Sequence, residues 1–310
     1  MKKSFVVVSV FAMFSLLFAA CSRSKKPDKP VFMLCISHMT NAFTKTVADS
    51  MSAAAASAGA ELIINEAGND IGKQVGQIES GVNQKVNAII VEPVNVSGVI
   101  PAIEAAEKAG VPVIVFNQRI SDGSKAHAFV GVSNETLGFM EMKSAAEAIG
   151  GSGNIAILLG PLGSDGQLGR SAGYEKALAE YPDIKVAFQE TGNWTAEEGL
   201  KLAENWLQTG QTLAAIVSQN DGMALGAVKA VEDKGLSGTV KVYGLDAVPD
   251  ALKAVQAGRL TATVSQATER QSQKAIEVAM ALYNKQDVPA ENLVEGAVID
   301  KNNVSEFINP

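Results

Sequence analysis

From residue 31 to the end of the chain, short apolar runs rich in Val and Ile alternate with longer stretches of helical period, and this alternation limits the possible folds severely. The first series reads VFMLCIS then 43–59, ELIIN then 72–85, AIIV then 97–109, and VPVIVF with AFVGV then 135–149. A second series restarts with NIAILLG at 154–160. It continues through IKVAFQE at 184–190, LAAIVS at 213–218 and VKVYGLD at 240–246, with helices near 168–181, at 196–208 and at 222–234. Strands that are apolar nearly throughout and separated by helices belong to parallel sheets covered on both faces. The restart after Ser133 and the right-handed crossover rule predict two doubly wound α/β lobes rather than one (β/α)8 barrel, which needs regular units without a break. ATVSQ at 262–266, a helix at 268–285 and the tail GAVIDKNNVSEF predict a second and a third crossing between the lobes. The lobes then comprise residues 31–132 with 267–296 and residues 133–266 with 297–310, joined by a hinge of several crossings.

With 310 residues, 47% of them hydrophobic and 19% charged, the chain has material for two packed cores and lacks the composition of a disordered one. Lys and Arg total 26 against 33 Asp and Glu, so the net charge of −7 offers no groove to a polyanion, and nucleic acid is excluded as a partner.

Residues 1–20 are read as an address. Lys2 and Lys3 precede an apolar run from Phe5 to Phe18 that closes on Ala19, Ala20 and Cys21, the layout of a secretory signal and too short for a comfortable membrane span. LFAAC resembles a bacterial lipoprotein box, with Phe18 where that pattern usually has Leu, and it predicts cleavage before an acylated Cys21. SRSKKPDKP at 22–30 then reads as a solvated, Pro-broken tether, so residues 21–30 form a lipidated linker. Cys35 is left without a partner inside an apolar run, where a thiol is a small buried hydrophobe. The two histidines, His38 and His127, have no neighbours at ligand spacing, and no metal site is expected.

In open parallel sheets ligands bind beyond the carboxyl ends of the strands, so the residues that follow each apolar run define a candidate site. They are Asn41 and Phe43 after the first strand, then Glu92, then Asn117, then the loop PLGSDGQLG with Ser164 and Asp165, ending at Arg170. The second lobe adds Asn193 and Trp194, Asn220 and Asp221, Asp246 and Gln266. Amides, carboxylates, a guanidinium and two aromatics suit a neutral polyhydroxylated ring, whose hydroxyls both donate and accept and whose faces are apolar. Each residue also has a plain structural use. Asn41, Asn193 and Asn220 stand where helix N-caps stand, and Asp221 is assigned to the cap of its helix. Glu92 before Pro93 reads either as a solvated loop acid or as part of the site, whereas Asp246 after VYGL is hard to leave unpaired. Arg170, read in the first turn of a helix, opposes the macrodipole and calls for a specific partner. Phe43 and Trp194 serve as core residues or as the two plates of the site.

From about residue 31 to 308 the chain resembles the periplasmic sugar-binding proteins of the ribose and galactose/glucose type, the solute receptors of ABC transporters. The resemblance is carried by VFNQR at 115–119, SQNDGMALGAVKAVED at 218–233 and VYGLDAVPDALKAVQAGRLTATVSQ at 242–266. TGNWTAEEGLKLAENWL at 191–207 and IDKNNVSEF at 299–307 look closer to the galactose/glucose branch. It implies the type I periplasmic-binding-protein fold, with Asn41, Asn117, Arg170, Asn220, Asp246 and Gln266 hydrogen-bonded to a sugar held between Phe43 and Trp194. Asn41 stands where that branch has Asp, Gln266 where it has Asn, and Ser164 and Gly166 where it has His and Asp. A glucose or galactose ligand is favoured, with myo-inositol or a pentose such as ribose as the alternative. GGSGN at 150–154 is too short and too poor in acids for the calcium loop of some members, so neither metal nor cofactor is expected.

The implied mechanism is closure of the lobes around the sugar, read by a membrane permease or by a chemoreceptor. Such a receptor would be monomeric, periplasmic or at the cell surface, and held to a membrane by the lipid on Cys21. The related transcriptional repressors carry a DNA-reading helix pair where this chain has a signal. G-x-S-x-G and Walker motifs are lacking, and GPLGSDGQLG lacks the Lys-Ser/Thr ending of a phosphate loop. Glu92 and Asp246 as a glycosidase pair, or a structural lipoprotein, are the alternatives of other classes.

Overall fold

A computed structural model describes residues 29–308. The signal peptide, Cys21 and most of the tether therefore lie outside the described residues. The first lobe opens with β1 (Val31–Ile36), α1 (Ala42–Ser57), β2 (Glu61–Glu66), α2 (Ile71–Gln84), β3 (Ala88–Val91), α3 (Ile100–Lys108), β4 (Val113–Phe116) and β5 (Ala128–Gly131). The chain then crosses and builds α4 (Asn134–Ala148), β6 (Ser152–Leu159), α5 (Asp165–Ala179), β7 (Asp183–Thr191), α6 (Ala196–Gln208), β8 (Ala215–Ser218), α7 (Asp221–Asp233), β9 (Lys241–Asp246), α8 (Pro249–Gln256) and β10 (Ala262–Ser265). It returns for α9 (Thr268–Tyr283) and β11 (Glu291–Leu293), and crosses a third time to β12 (Ala297–Asp300) and α10 (Ser305–Ile308).

Two six-stranded sheets result, ordered β11-β5-β4-β3-β1-β2 and β12-β10-β9-β8-β6-β7. This is the doubly wound, two-lobed α/β architecture that the alternation predicts. Burial explains the strand composition. Phe32 to Ile36 of β1 and all of β3 are wholly inaccessible, since helices cover both faces of the sheet. Cys35 sits in that layer, and burial pushes its thiol up to about 12. Among the described residues no helix is long and apolar enough to cross a membrane.

All three crossings leave from the carboxyl edge of a strand, so each passes beside the space between the lobes. One strand departs from the parallel pattern for that reason. β12 enters the second sheet from its cleft-side edge and must run away from the cleft, antiparallel to β10 with Ala262 opposite Asp300.

Helix starts are set by side chains on the preceding loop. Asn41 Oδ1 accepts the Thr44 N–H (2.9 Å), Ser133 Oγ that of Thr136 (3.2 Å), and Thr195 Oγ1 that of Glu198 (3.3 Å). Ser164 caps α5 through the Gln167 N–H (3.3 Å), so this helix begins at Asp165, ahead of the 168 that its apolar period suggests. Arg170 consequently lies in the second turn, not the first.

Helices α4 and α5 approach through glycine. A Cβ on Gly138 would stand 2.3 Å from the Arg170 carbonyl oxygen, and one on Gly173 would stand 2.2 Å from that of Glu135. Backbone cannot move aside as a side-chain tip can. Gly173→Ala is expected to destabilise the protein by about 1–3 kcal/mol, lowering the thermal midpoint by several degrees, and calorimetry on the ligand-free protein checks this.

Candidate functional site

Facing carboxyl edges of the two sheets enclose a narrow pocket. The first lobe contributes His38, Asn41, Phe43, Thr44, Glu92, Asn117 and Gln118, and the second Asn134, Gly166, Arg170, Trp194, Asn220, Asp246 and Gln266. It adjoins a broader cleft lined by Ser37, Thr40, Asn69, Pro161, Ser164, Asn193 and Thr195 among others.

On the first-lobe wall Glu92 is only 2% exposed and not a solvated loop acid. Its Oε2 accepts the Ser37 N–H (2.9 Å) and its Oε1 accepts Gln118 Nε2 (2.8 Å). Asn41 uses Oδ1 for the α1 cap, so its Nδ2 is the group left for the pocket. Asn117, directly after β4, has φ +61° and its side-chain amide makes no hydrogen bond among the described residues, although its backbone N–H donates to Val130 O (2.9 Å).

Arg170 dominates the opposite wall. Its Nε donates to Asn134 Oδ1 (3.1 Å) and its Nη1 to the Gln219 carbonyl, while Asn134 Nδ2 donates to Asp165 Oδ2 (2.9 Å). The guanidinium lies 5.4 Å from the centre of the Trp194 ring. Asn220 both caps α7, accepting the Met223 N–H (2.9 Å), and donates from Nδ2 to Trp194 O (3.1 Å). That bond holds Trp194 at φ +65°, where a bulky residue is strained. Gly160 leaves room for the indole, since a Cβ there would lie 2.0 Å from Trp194 Cη2.

Asp246 ends β9 with φ +133°, and its Oδ1 accepts Gln266 Nε2 (2.6 Å). Gln266 Oε1 is buried with no hydrogen-bond partner among the described residues, an acceptor that a ligand donor would satisfy. Burial pushes the Asp246 carboxyl up, and the nearby Arg170 guanidinium and the Gln266 bond oppose this. Burial pushes Asp221 up as well, and the negative charge of Asp246 adds to it. Behind Arg170, Tyr174 donates its hydroxyl to Glu141 Oε2 (2.6 Å), and burial raises both groups well above their ordinary values. Positive φ at Asn117, Trp194 and Asp246 concentrates strain of about 1–3 kcal/mol per residue around one space.

Of the residues singled out by sequence, Asn41, Phe43, Glu92, Asn117, Arg170, Trp194, Asn220, Asp246 and Gln266 share this pocket. Ser164 and Asp165 do not line it. Ser164 caps α5 and faces the broader cleft, and Asp165 is taken up by Asn134. Asn193 also faces the broader cleft, and Thr195 caps α6 in its place. Asp221 is not the α7 cap, since Asn220 fills that role. Sequence reading missed His38, Thr44, Gln118 and Asn134 as lining residues. His38 and Gln118 were legible as members of the same strand-end segments as Asn41 and Asn117, whereas Asn134 falls just before the predicted helix at 135–149 and carries no strand-end signal.

A two-lobed pocket of fixed donors and acceptors, with both oxygens of its buried glutamate already accepting hydrogen bonds, belongs to a receptor that encloses a small polar molecule. The match to a periplasmic binding protein domain over residues 32–287 specifies the family. The chain belongs to it, among the sugar-binding ABC-transporter proteins of the ribose and xylose type, which are receptors and not enzymes. It is 36% identical to the xylitol-binding protein of Mycolicibacterium smegmatis over 249 residues, 80% of this chain and 71% of that protein. The crystal structure of a solute-binding protein from Actinobacillus succinogenes with bound D-allose is 36% identical with a TM-score of 0.87, covering 90% of this chain and all of that one. A myo-inositol-bound counterpart from Bacillus halodurans is 33% identical with a TM-score of 0.86, covering 90% and 97%.

An acid raised in the folded state holds its proton more tightly there than in the unfolded chain. Its stabilising contribution is therefore complete below the ordinary aspartate range, about pH 4, and is lost as pH rises toward neutrality. Asp246→Asn should accordingly gain on the wild type by about 1–3 kcal/mol between about pH 4 and pH 7 in ligand-free denaturant unfolding. A flat difference would remove the burial argument.

Proposed function

We propose that the protein binds one neutral monosaccharide or sugar alcohol of five or six carbons in the interlobe pocket and passes it to the membrane permease of an ABC importer. The observation that carries this reading is the unpartnered Gln266 Oε1 beside Asp246 and Arg170, in a pocket walled by Phe43 and Trp194. Hydroxyls satisfy such a set at once, donating to Gln266 and Asp246 and accepting from Arg170, Asn41 and Asn117. C–H faces meet the aromatics. Two buried carboxylates against one guanidinium disfavour an anion.

The ligands named for the relatives, xylitol, D-allose and myo-inositol, support the class. Segments 191–207 and 299–307 favour glucose or galactose within it. Contacts from both lobes stabilise the closed state selectively, and that shift in population is what a permease or a chemoreceptor would read. We further propose a monomer held at a membrane by lipid on Cys21.

A thermal-shift panel of D-glucose, D-galactose, D-ribose, D-xylose, D-allose, xylitol and myo-inositol tests the reading. At least one should raise the unfolding free energy by about 2.7 kcal/mol at a hundred times its Kd. Trp194→Ala should weaken that ligand by about 30-fold, roughly 2 kcal/mol, in calorimetric titration. Silence across the panel would sink the proposal. For the anchor, Cys21→Ser should move the protein from the membrane to the soluble fraction of fractionated cells, and unchanged partitioning would exclude lipid at that position.

A further inference from the structure

Asp221 is wholly buried, does not line the pocket, and is spared from capping by Asn220. Its carboxylate instead faces the turn that follows β9. Oδ2 accepts the Val248 N–H (2.9 Å), and the carboxylate also interacts with the Ala247 N–H. Oδ1 accepts the Thr263 hydroxyl (2.7 Å), and Thr263 Oγ1 in turn accepts the Ala247 N–H (3.2 Å). The backbone N–H of Asp221 points at the Asp246 carboxylate.

These bonds converge on two consecutive residues that L-amino acids rarely place at positive φ, Asp246 at +133° and Ala247 at +59°. Neither is glycine, so the backbone does not prefer this shape on its own. Room for the clamp is provided on the strand itself, since a Cβ on Gly244 would stand 2.3 Å from Asp221 Oδ1. Thr263 lies two residues before Ser265, the last residue of β10, and Gln266 follows to donate to Asp246. One carboxylate thus links the start of α7, the turn after β9 and the strand that delivers Gln266.

The geometry points to Asp221 as a positioning residue that holds the 246–248 turn in its strained form and so aims the Asp246 carboxylate and its Gln266 partner into the pocket. This inference rests on the pocket being the sugar site. A residue that only supported the fold would lower stability without a specific dependence on Asp246. A positioning residue makes ligand affinity depend on both side chains together.

The test titrates D-glucose, D-galactose, D-ribose, D-xylose, D-allose, xylitol and myo-inositol calorimetrically into the wild type, Asp221→Asn, Asp246→Asn and the double variant, using whichever probe the wild type binds. Asp221→Asn should weaken binding about 10-fold or more in the wild-type background and less than about 3-fold in the Asp246→Asn background. Adding Ala247→Gly, which relaxes the turn, should recover part of the loss. Hydrogen exchange at the Val248 amide, read without ligand, should quicken about 10-fold or more beyond the other core amides in Asp221→Asn. Should Asp221→Asn fail to fold, Thr263→Val removes one arm of the clamp and must show the same non-additivity. Unchanged affinity, equal losses in both backgrounds or a Val248 amide that stays protected each overturn the assignment. If the wild type binds no probe, the sugar reading fails and the assignment falls with it, an outcome distinct from a wild type that binds and an Asp221 variant that binds equally well.

Discussion

A parallel strand with its helix behind it can deliver side chains to a ligand from one end only, the carboxyl end, and everything else in this molecule follows from that restriction. Among the described residues eleven of the twelve strands obey it, with β12 as the antiparallel exception. Each lobe therefore has one functional edge, and the three crossings leave from those edges so that the edges face each other. The pocket is the necessary meeting place of strand-end residues that are distant along the chain, from His38 to Gln266.

Strand ends are also helix starts, so the polar residues there are asked to do two things. Asn41 and Asn220 show how both are met: the side-chain oxygen caps the helix, and the amide nitrogen is left for Trp194 or for the pocket. Arg170 is braced in the same economical way by Asn134 and the Gln219 carbonyl, leaving its remaining nitrogen for another acceptor. Polar groups fixed before a ligand arrives lose little freedom when it binds, and water cannot satisfy them equally well inside a narrow space. The carboxyls of Asp221 and Asp246, both raised by burial, are the cost of that arrangement in the ligand-free protein.

Much of this was legible before any coordinates. Apolar runs flanked by Asn, Asp, Glu and Gln mark strand ends, and nine of the thirteen residues singled out by that rule line the pocket. Failures had local causes. In the loop PLGSDGQLG the polar residues Ser164 and Asp165 are as prominent as Arg170, yet the cap begins the helix early and turns both of them aside. In SQND the sequence assigns the cap to Asp221, but Asn220 holds it, and only the position of the Val248 and Thr263 donors decides that Asp221 faces inward. Asn134 belongs to the first helix after a crossing and carries no strand-end signature.

The order of apolar and polar runs by itself determined two α/β lobes, the number of crossings between them and the kind of chemistry gathered at their edges, because periodicity and strand ends are local properties. Tertiary structure alone decided which side chains point into the common space, which are consumed by caps, and where the backbone is forced to positive φ. Those outcomes depend on hydrogen-bond donors brought from remote strands, as Thr263 is to Asp221, and a linear pattern contains no record of which donors will arrive.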